Sequence, residues 1–199
     1  MKNPKIKCVL FDADGVIVNA EMFSVQYQRE HGITNEEMLP FYTGVFQECL
    51  IGKADLKEVI EKWLIKWKWE GTIDEFLEAW FKAEHKIDER IIEVIKSLQA
   101  EGIKCFLITN QEEHRTQYMK KQMGFEKIFD GIFSSAEIGY KKPEKEFYEY
   151  ILNNLKNKHK VSSEEIIFFD DEQENVDGAK ILGIGAYLYE GFKEFKKII

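Results

Sequence analysis

The stretch that decides the fold is Phe11-Asp12-Ala13-Asp14-Gly15-Val16, preceded by the run Ile6-Lys7-Cys8-Val9-Leu10-Phe11. The leading run is apolar, partly β-branched and uncharged after Lys7, so it reads as a buried strand. Two carboxylates follow within three residues, and Gly15 marks a turn directly after them. Ionised acids at the end of a buried strand need a cation, a hydrogen-bond donor or a shared proton. Ligands of open α/β sheets bind outside the carboxyl ends of the strands. The hexapeptide alone fits a catalytic pair or cation site and a solvated Asp/Gly turn equally well, and the rest of the chain decides between them.

Outward from Val18 the pattern becomes helical until about residue 86. Apolar positions recur at helical spacing through Met22–Tyr27, Leu56–Trp67 and Phe76–Phe81, with no convincing strand among them. Asp55 before Leu56, and Thr72 with Glu75 three residues on, read as helix N-caps. Three to five helices are expected there. Trp63, Trp67, Trp69 and Trp80 read as the core of that helix bundle rather than as a substrate wall. From Asp88 strands and helices alternate. Strands are expected at 103–108, 131–134, 165–169 and 186–189, and helices at 90–100, 112–123, 144–155 and 175–182. The Lys-rich run Lys156–Lys160 reads as a solvated loop. Such alternation implies an α/β, Rossmann-like, doubly wound parallel sheet with helices on both faces. The expected organisation is a core of residues 1–18 and 87–199, with an α-helical insertion of residues 19–86 that leaves directly after the two acids.

The 199 residues carry a net charge of −8, with 44% hydrophobic and 32% charged residues. This is a folded chain, large enough for one domain with an insertion. Its acidity argues against nucleic acid or an anionic membrane as partner. Cys8, Cys49 and Cys105 are odd in number and widely spaced, so no disulfide or zinc motif is expected. No segment reads as a signal peptide or a membrane span. A cytoplasmic location is the expectation, as monomer or homodimer.

Three strands end in groups of complementary chemistry. The first ends in Asp12 and Asp14, the second in Thr109 and Asn110, and the fourth in Asp170 and Asp171. The loop after the third offers Lys141-Lys142-Pro143. In a parallel sheet all of these share one edge. Several carboxylates there call for a divalent cation, and oxygen ligands suit Mg²⁺. Thr and Asn can hold anion oxygens, and Lys supplies a point charge. One carboxylate can be a nucleophile and another an acid/base. Together these groups describe a phosphoryl-transfer site.

These residues resemble the haloacid dehalogenase superfamily, and within it the phosphatases with a small helical (C1) cap after the first motif. The resemblance lies in Asp12-Ala13-Asp14-Gly15-Val16, in Phe106-Leu107-Ile108-Thr109-Asn110, in Lys142-Pro143, and in Ile166-Ile167-Phe168-Phe169-Asp170-Asp171, in that order. It implies a central first strand flanked by the second and the fourth. It implies that Asp12 is the nucleophile and a Mg²⁺ ligand. Asp14 would be the acid/base, with its main-chain carbonyl on the metal. Thr109, Asn110 and Lys142 would bind the phosphoryl group, Lys142 also neutralising Asp12. Asp170 and Asp171 would complete the metal site. Two positions depart from the pattern. Asn175 stands where some relatives carry a second acid, and Asn19 where many carry Asp.

Less specific readings remain for some of these residues. Thr109 and Asn110 fit a helix N-cap, Lys142 an exposed lysine beside a turn, and Lys141 a solvated one. The turn Gly52-Lys53-Ala54-Asp55 resembles the cap turn of small-cap phosphatases and reads first as a turn and helix cap. The function expected is a Mg²⁺-dependent phosphatase acting on a small phosphorylated metabolite through an aspartyl-phosphate. Its alternatives are a phosphomutase or haloacid dehalogenase reaction, or a non-enzymatic phospho-acceptor or binding protein.

Overall fold

A computed structural model describes residues 5–199. The chain enters through β1 (Cys8–Phe11). Five helices follow: α1 (Phe23–His31), α2 (Asn35–Thr43), α3 (Phe46–Cys49), α4 (Leu56–Lys66) and α5 (Ile73–Ala83). The remainder runs α6 (Glu89–Ala100), β2 (Lys104–Thr109), α7 (Glu113–Lys121), α8 (Phe125–Ile128), β3 (Gly131–Ser134), α9 (Ser135–Ile138), α10 (Lys145–His159), β4 (Ile166–Asp170), α11 (Gln173–Ile181), β5 (Gly185–Leu188) and α12 (Phe192–Ile198).

The five strands form one sheet in the order β3-β2-β1-β4-β5, and every pairing is parallel. β1 is central, as the motif order implies. Its four residues are all buried because alternate side chains feed two separate layers. Val9 and Phe11 join the core beneath α6 and α12, where Phe11 lies beside Phe129, Phe169 and Phe195. Cys8 and Leu10 face the opposite layer with Phe147, Ile151 and Phe168. Connections run to β2 on one side and β4 on the other, so the carboxyl end of β1 is a topological switch point. The acids of the opening stretch sit at that point.

Residues 23–83 have a core of their own, centred on Tyr27, Phe41, Trp67 and Phe76. Local chemistry starts α4 and α5 where the sequence indicates, and α2 by the same device. Thr72 and Glu75 form a capping box before α5, Thr34 and Glu37 form one before α2, and the Asp55 carboxylate caps α4. The two chain passes joining this bundle to the sheet are hydrogen-bonded to each other. Asn19 N–H donates to the Lys86 carbonyl at 2.8 Å, and Asp88 N–H to the Ile17 carbonyl at 2.8 Å.

Two expectations need correction, and one helix was not foreseen. α10 continues through His159, so Lys156–His159 is helix and not loop. Its lysines face solvent, while the His159 ring packs edge-on against Phe106 at 5.2 Å. The helix stops at Lys160, which adopts φ 58°. The N-cap of α7 is Glu112, whose carboxylate accepts from the N–H groups of His114 and Arg115, so Thr109 and Asn110 do not cap that helix. The short C-terminal α12, which buries Phe195, was not anticipated.

Candidate active site

The strand ends converge as the sequence implies. Asp12 closes β1 with its N–H donated to the Phe169 carbonyl of β4 at 2.9 Å. Asp170 ends β4, and Asp171 follows it. One oxygen each of Asp12, Asp170 and Asp171 lie within 4.8 Å of one another. Gly15 makes this approach feasible. It holds φ 74°, and a Cβ there would stand 2.0 Å from Oδ2 of Asp171.

Lys142 is 2% exposed and is not a surface lysine. Its Nζ lies 2.7 Å from Oδ1 of Asp12 and 2.6 Å from Oδ2 of Asp170. Burial works against the ammonium, but these two carboxylates outweigh it and raise the affinity of Lys142 for its proton. Burial also pushes the Asp12 carboxyl well above the usual carboxylate range, against the pull of Lys142. Partial burial and the neighbouring Asp170 charge push Asp171 up to about 6.

Asn110 is bonded to the main chain of Lys142 on both sides of its amide. Its side-chain N–H donates to the Lys142 carbonyl at 2.9 Å, and its Oδ1 accepts from Lys142 N–H at 2.8 Å. The side chain thus clamps the main chain that carries the lysine. Thr109 lines the same cavity as the acids.

Asp170 and Asp171 are not equivalent. Oδ1 of Asp170 accepts from Asn175 Nδ2 at 3.0 Å and from Glu172 N–H at 2.9 Å, while Oδ2 takes Lys142. Asp170 is therefore wholly enclosed by protein partners. Asp171 is open to solvent. Oδ1 of Asn175 is buried without a hydrogen-bond partner among the described residues. A hard, oxygen-rich set of three acids, with one orphaned amide oxygen nearby, fits a divalent cation such as Mg²⁺.

Some participants were not foreseen because only the fold brings them here. Gln111 Nε2 donates to Oδ2 of Asp14. Its own loop is pinned by Ser134 and Ser135 at the end of β3. Arg115, 2% exposed on α7, places a guanidinium nitrogen 3.8 Å from Asp14 and 3.4 Å from Glu84, and donates to the Phe81 carbonyl at 3.0 Å. Glu84 in turn accepts from Phe23 N–H at 2.8 Å. Asp14 is thereby linked to both ends of the helical bundle. Lys141 is half-buried and bonded to Gln47 of α3, so it is not the solvated residue expected. Lys53 is exposed and off the cavity wall, although its turn docks closely: a Cβ on Gly52 would stand 2.3 Å from the Ala136 carbonyl.

The acids open into a cavity of about 770 Å³ between the sheet edge and the helical bundle, walled on the bundle side by residues that include Tyr42, Phe46 and Trp80. Trp80 therefore serves the bundle core and the cavity wall together.

A family model described as haloacid dehalogenase-like hydrolase matches residues 9–188. The chain belongs to this family. A sesquiterpene phosphatase of Aspergillus oryzae is 34% identical over 105 residues, which cover 51% of this chain and 50% of that protein. The chain thus spans about half the length of that relative. A pyrophosphatase of Halalkalibacterium halodurans is 24% identical over 193 residues, covering 90% of this chain and 81% of its own. A haloacid dehalogenase family enzyme from Bacteroides thetaiotaomicron, solved in complex with magnesium and inorganic phosphate, superposes with a TM-score of 0.80 at 19% identity. It covers 98% of this chain and 99% of its own. At that identity the likeness concerns the fold.

Proposed function

We propose that the chain is a Mg²⁺-dependent phosphatase that hydrolyses a small phosphorylated metabolite through an aspartyl-phosphate. The observation that carries this reading is the Lys142 ammonium seated between Asp12 and Asp170, with Asp171 completing a three-carboxylate cluster at the switch point of the sheet. The phosphatase names of two relatives support it. Residues 1–18 and 87–199 form the catalytic core in this proposal, and residues 19–86 a cap over the sheet edge.

Asp12 attacks phosphorus through the oxygen that neither Lys142 nor the Ala13 N–H engages. As that O–P bond forms, the bond to the leaving oxygen breaks and Asp14 gives the leaving group a proton. Asp14 is half-exposed and is steadied by Gln111 and Arg115, so it can exchange that proton. In the second step Asp14 takes a proton from water, the water oxygen bonds to phosphorus, and the Asp12–phosphorus bond breaks. Inorganic phosphate leaves and both carboxylates are restored. Thr109 donates its hydroxyl to the phosphoryl group, and Asn110 acts at one remove by holding Lys142 in place. Asp12, Asp171 and the Asp14 main-chain carbonyl would hold Mg²⁺, with Asp170 orienting Lys142. When bound there, Mg²⁺ offsets the charge of the phosphoryl oxygens and keeps Asp12 ionised.

The test is hydrolysis of p-nitrophenyl phosphate with and without Mg²⁺. Activity should need the cation, vanish with a chelator, and fall by about three orders of magnitude or more in Asp12→Asn. Retained activity in that variant would sink the mechanism.

A further inference from the structure

We infer that the substrate is the phosphate monoester of an apolar alcohol, with the hydrocarbon part of the leaving group seated against the helical bundle. This rests on the phosphatase reading above and adds the chemistry of the leaving group. The reacting end of the cavity is dense with charged groups, while its far wall carries large apolar side chains. Met22, Leu39, Phe46, Leu50 and Trp80 stand there, with the polar Ser24 and Asn35 among them. Met22 and Leu39 are 65% and 46% exposed. Two large apolar side chains thus stand open to water at the rim of a cavity, where a ligand's apolar surface would cover them.

The distribution of charge disfavours a second anionic group on the substrate. Among the described residues that line the cavity, Lys142 is the only Lys or Arg. Its charge is already shared between two carboxylates at hydrogen-bond distance. Beyond the clustered acids and Asp14, the remaining charged groups of the lining, Glu84 and Glu172 (the latter next to Asp171 in the chain), are negative. Lys141 stands next in the chain, but its ammonium is tied to the side chain of Gln47. A second phosphate on the leaving group, as in pyrophosphate or a bisphosphate, would meet like charge and no free cation. A sugar could hydrogen-bond to Ser24 and Asn35, but its hydroxyls would also lie against Met22, Leu39 and Phe46, where they find no partner. A hydrocarbon chain incurs neither cost and gains from leaving water.

The test is a homologous series of n-alkyl phosphates from ethyl to octyl, assayed with Mg²⁺ beside glucose 6-phosphate and pyrophosphate. The expected kcat/KM rises about threefold for each added methylene. Octyl phosphate should exceed glucose 6-phosphate and pyrophosphate by about tenfold or more, since several methylenes are buried. Leu39→Lys changes an exposed side chain, so folding should persist by circular dichroism, and the slope of the series should fall. A flat series, or a preference for glucose 6-phosphate or pyrophosphate, overturns the inference while the phosphatase reading stands. An unchanged slope in correctly folded Leu39→Lys also overturns it. Failure to hydrolyse any ester overturns the phosphatase reading and the inference together.

Discussion

Lys142 is enclosed by protein, with its ammonium between two carboxylates and 5.7 Å from the centre of the Phe168 ring. Removing that charge leaves Asp12 and Asp170 facing each other in a site from which water is largely excluded. Breaking a buried ion pair from one side costs about 3–5 kcal/mol. Lys142→Met should lose stability of that order in urea denaturation, and added Mg²⁺ should restore part of it by replacing the missing positive charge. Gly15 offers a second single-residue test. Its φ of 74° costs a residue with a Cβ about 1–2 kcal/mol, and that Cβ would displace the Asp171 carboxylate. Gly15→Ala should therefore lower thermal stability modestly while weakening Mg²⁺ binding, read by calorimetric titration, by about tenfold or more, because one acid leaves the cluster. The acids, Thr109 and Lys142 were legible in the sequence because each sits at the end of an apolar strand or just before a proline. Gln111, Arg115 and Glu84 were not, since they reach Asp14 and the cap through space from three different elements. The clamp of Asn110 on Lys142 likewise joins residues 32 apart in the chain.

Among the elements, the strands and the capped helices were the most readable, because continuous apolar runs and Thr/Glu boxes are local signals. The end of α10 was not. Lysine is a good helix former, and the anchor that extends the helix beyond Leu155 is the packing of His159 on Phe106, which no local pattern records. The pairing of β2 with β3 has its own staple. Asp130 accepts from the Cys105 N–H at 2.9 Å, from Lys104 at 2.7 Å and from Gln99 at 3.1 Å. Burial acts to raise its pKa, but these bonds outweigh it and hold the carboxyl below the usual range. Because the folded value is depressed, the stabilisation is fully present above the unfolded pKa of about 4 and is lost as pH falls through the folded value. Asp130→Asn should be less stable than the wild type at pH 7 by about 1–3 kcal/mol, and the difference should close in acid. Denaturant curves at several pH values measure it. At the junction of the helical bundle and the sheet, Arg115 joins α7 to the last turn of α5 and to Asp14. Arg115→Ala should reduce kcat by about tenfold or more, since Asp14, the proposed acid/base, loses a group that steadies it. Arg115→Lys should not restore the rate, because one ammonium cannot reach the Phe81 carbonyl, Glu84 and Asp14 together.

At the scale of the molecule, the sheet supplies a rigid edge and the helical bundle supplies the opposite wall, each with a separate hydrophobic core. The acids and Lys142 lie on the sheet edge, where β1 is fixed by neighbours on both sides. In the proposal the choice of leaving group belongs to the bundle, whose packing could not be read from periodicity alone. Mg²⁺ binding to the folded state should raise the unfolding free energy by about 2.7 kcal/mol at a hundredfold excess over its dissociation constant. A chelator should remove that gain, and Asp171→Asn should reduce it. The central claim is that Asp12 itself accepts the phosphoryl group. The Asp14→Asn variant is the place to look. p-Nitrophenolate leaves without needing a proton, whereas hydrolysis of the acyl phosphate does need the missing base, so the intermediate should accumulate. After rapid quench from Mg²⁺ and p-nitrophenyl phosphate, mass spectrometry should find one phosphoryl group on the peptide containing Asp12, and none there in the Asp12→Asn, Asp14→Asn double variant. A phosphoryl group on another residue, or turnover undiminished in Asp12→Asn, would contradict it.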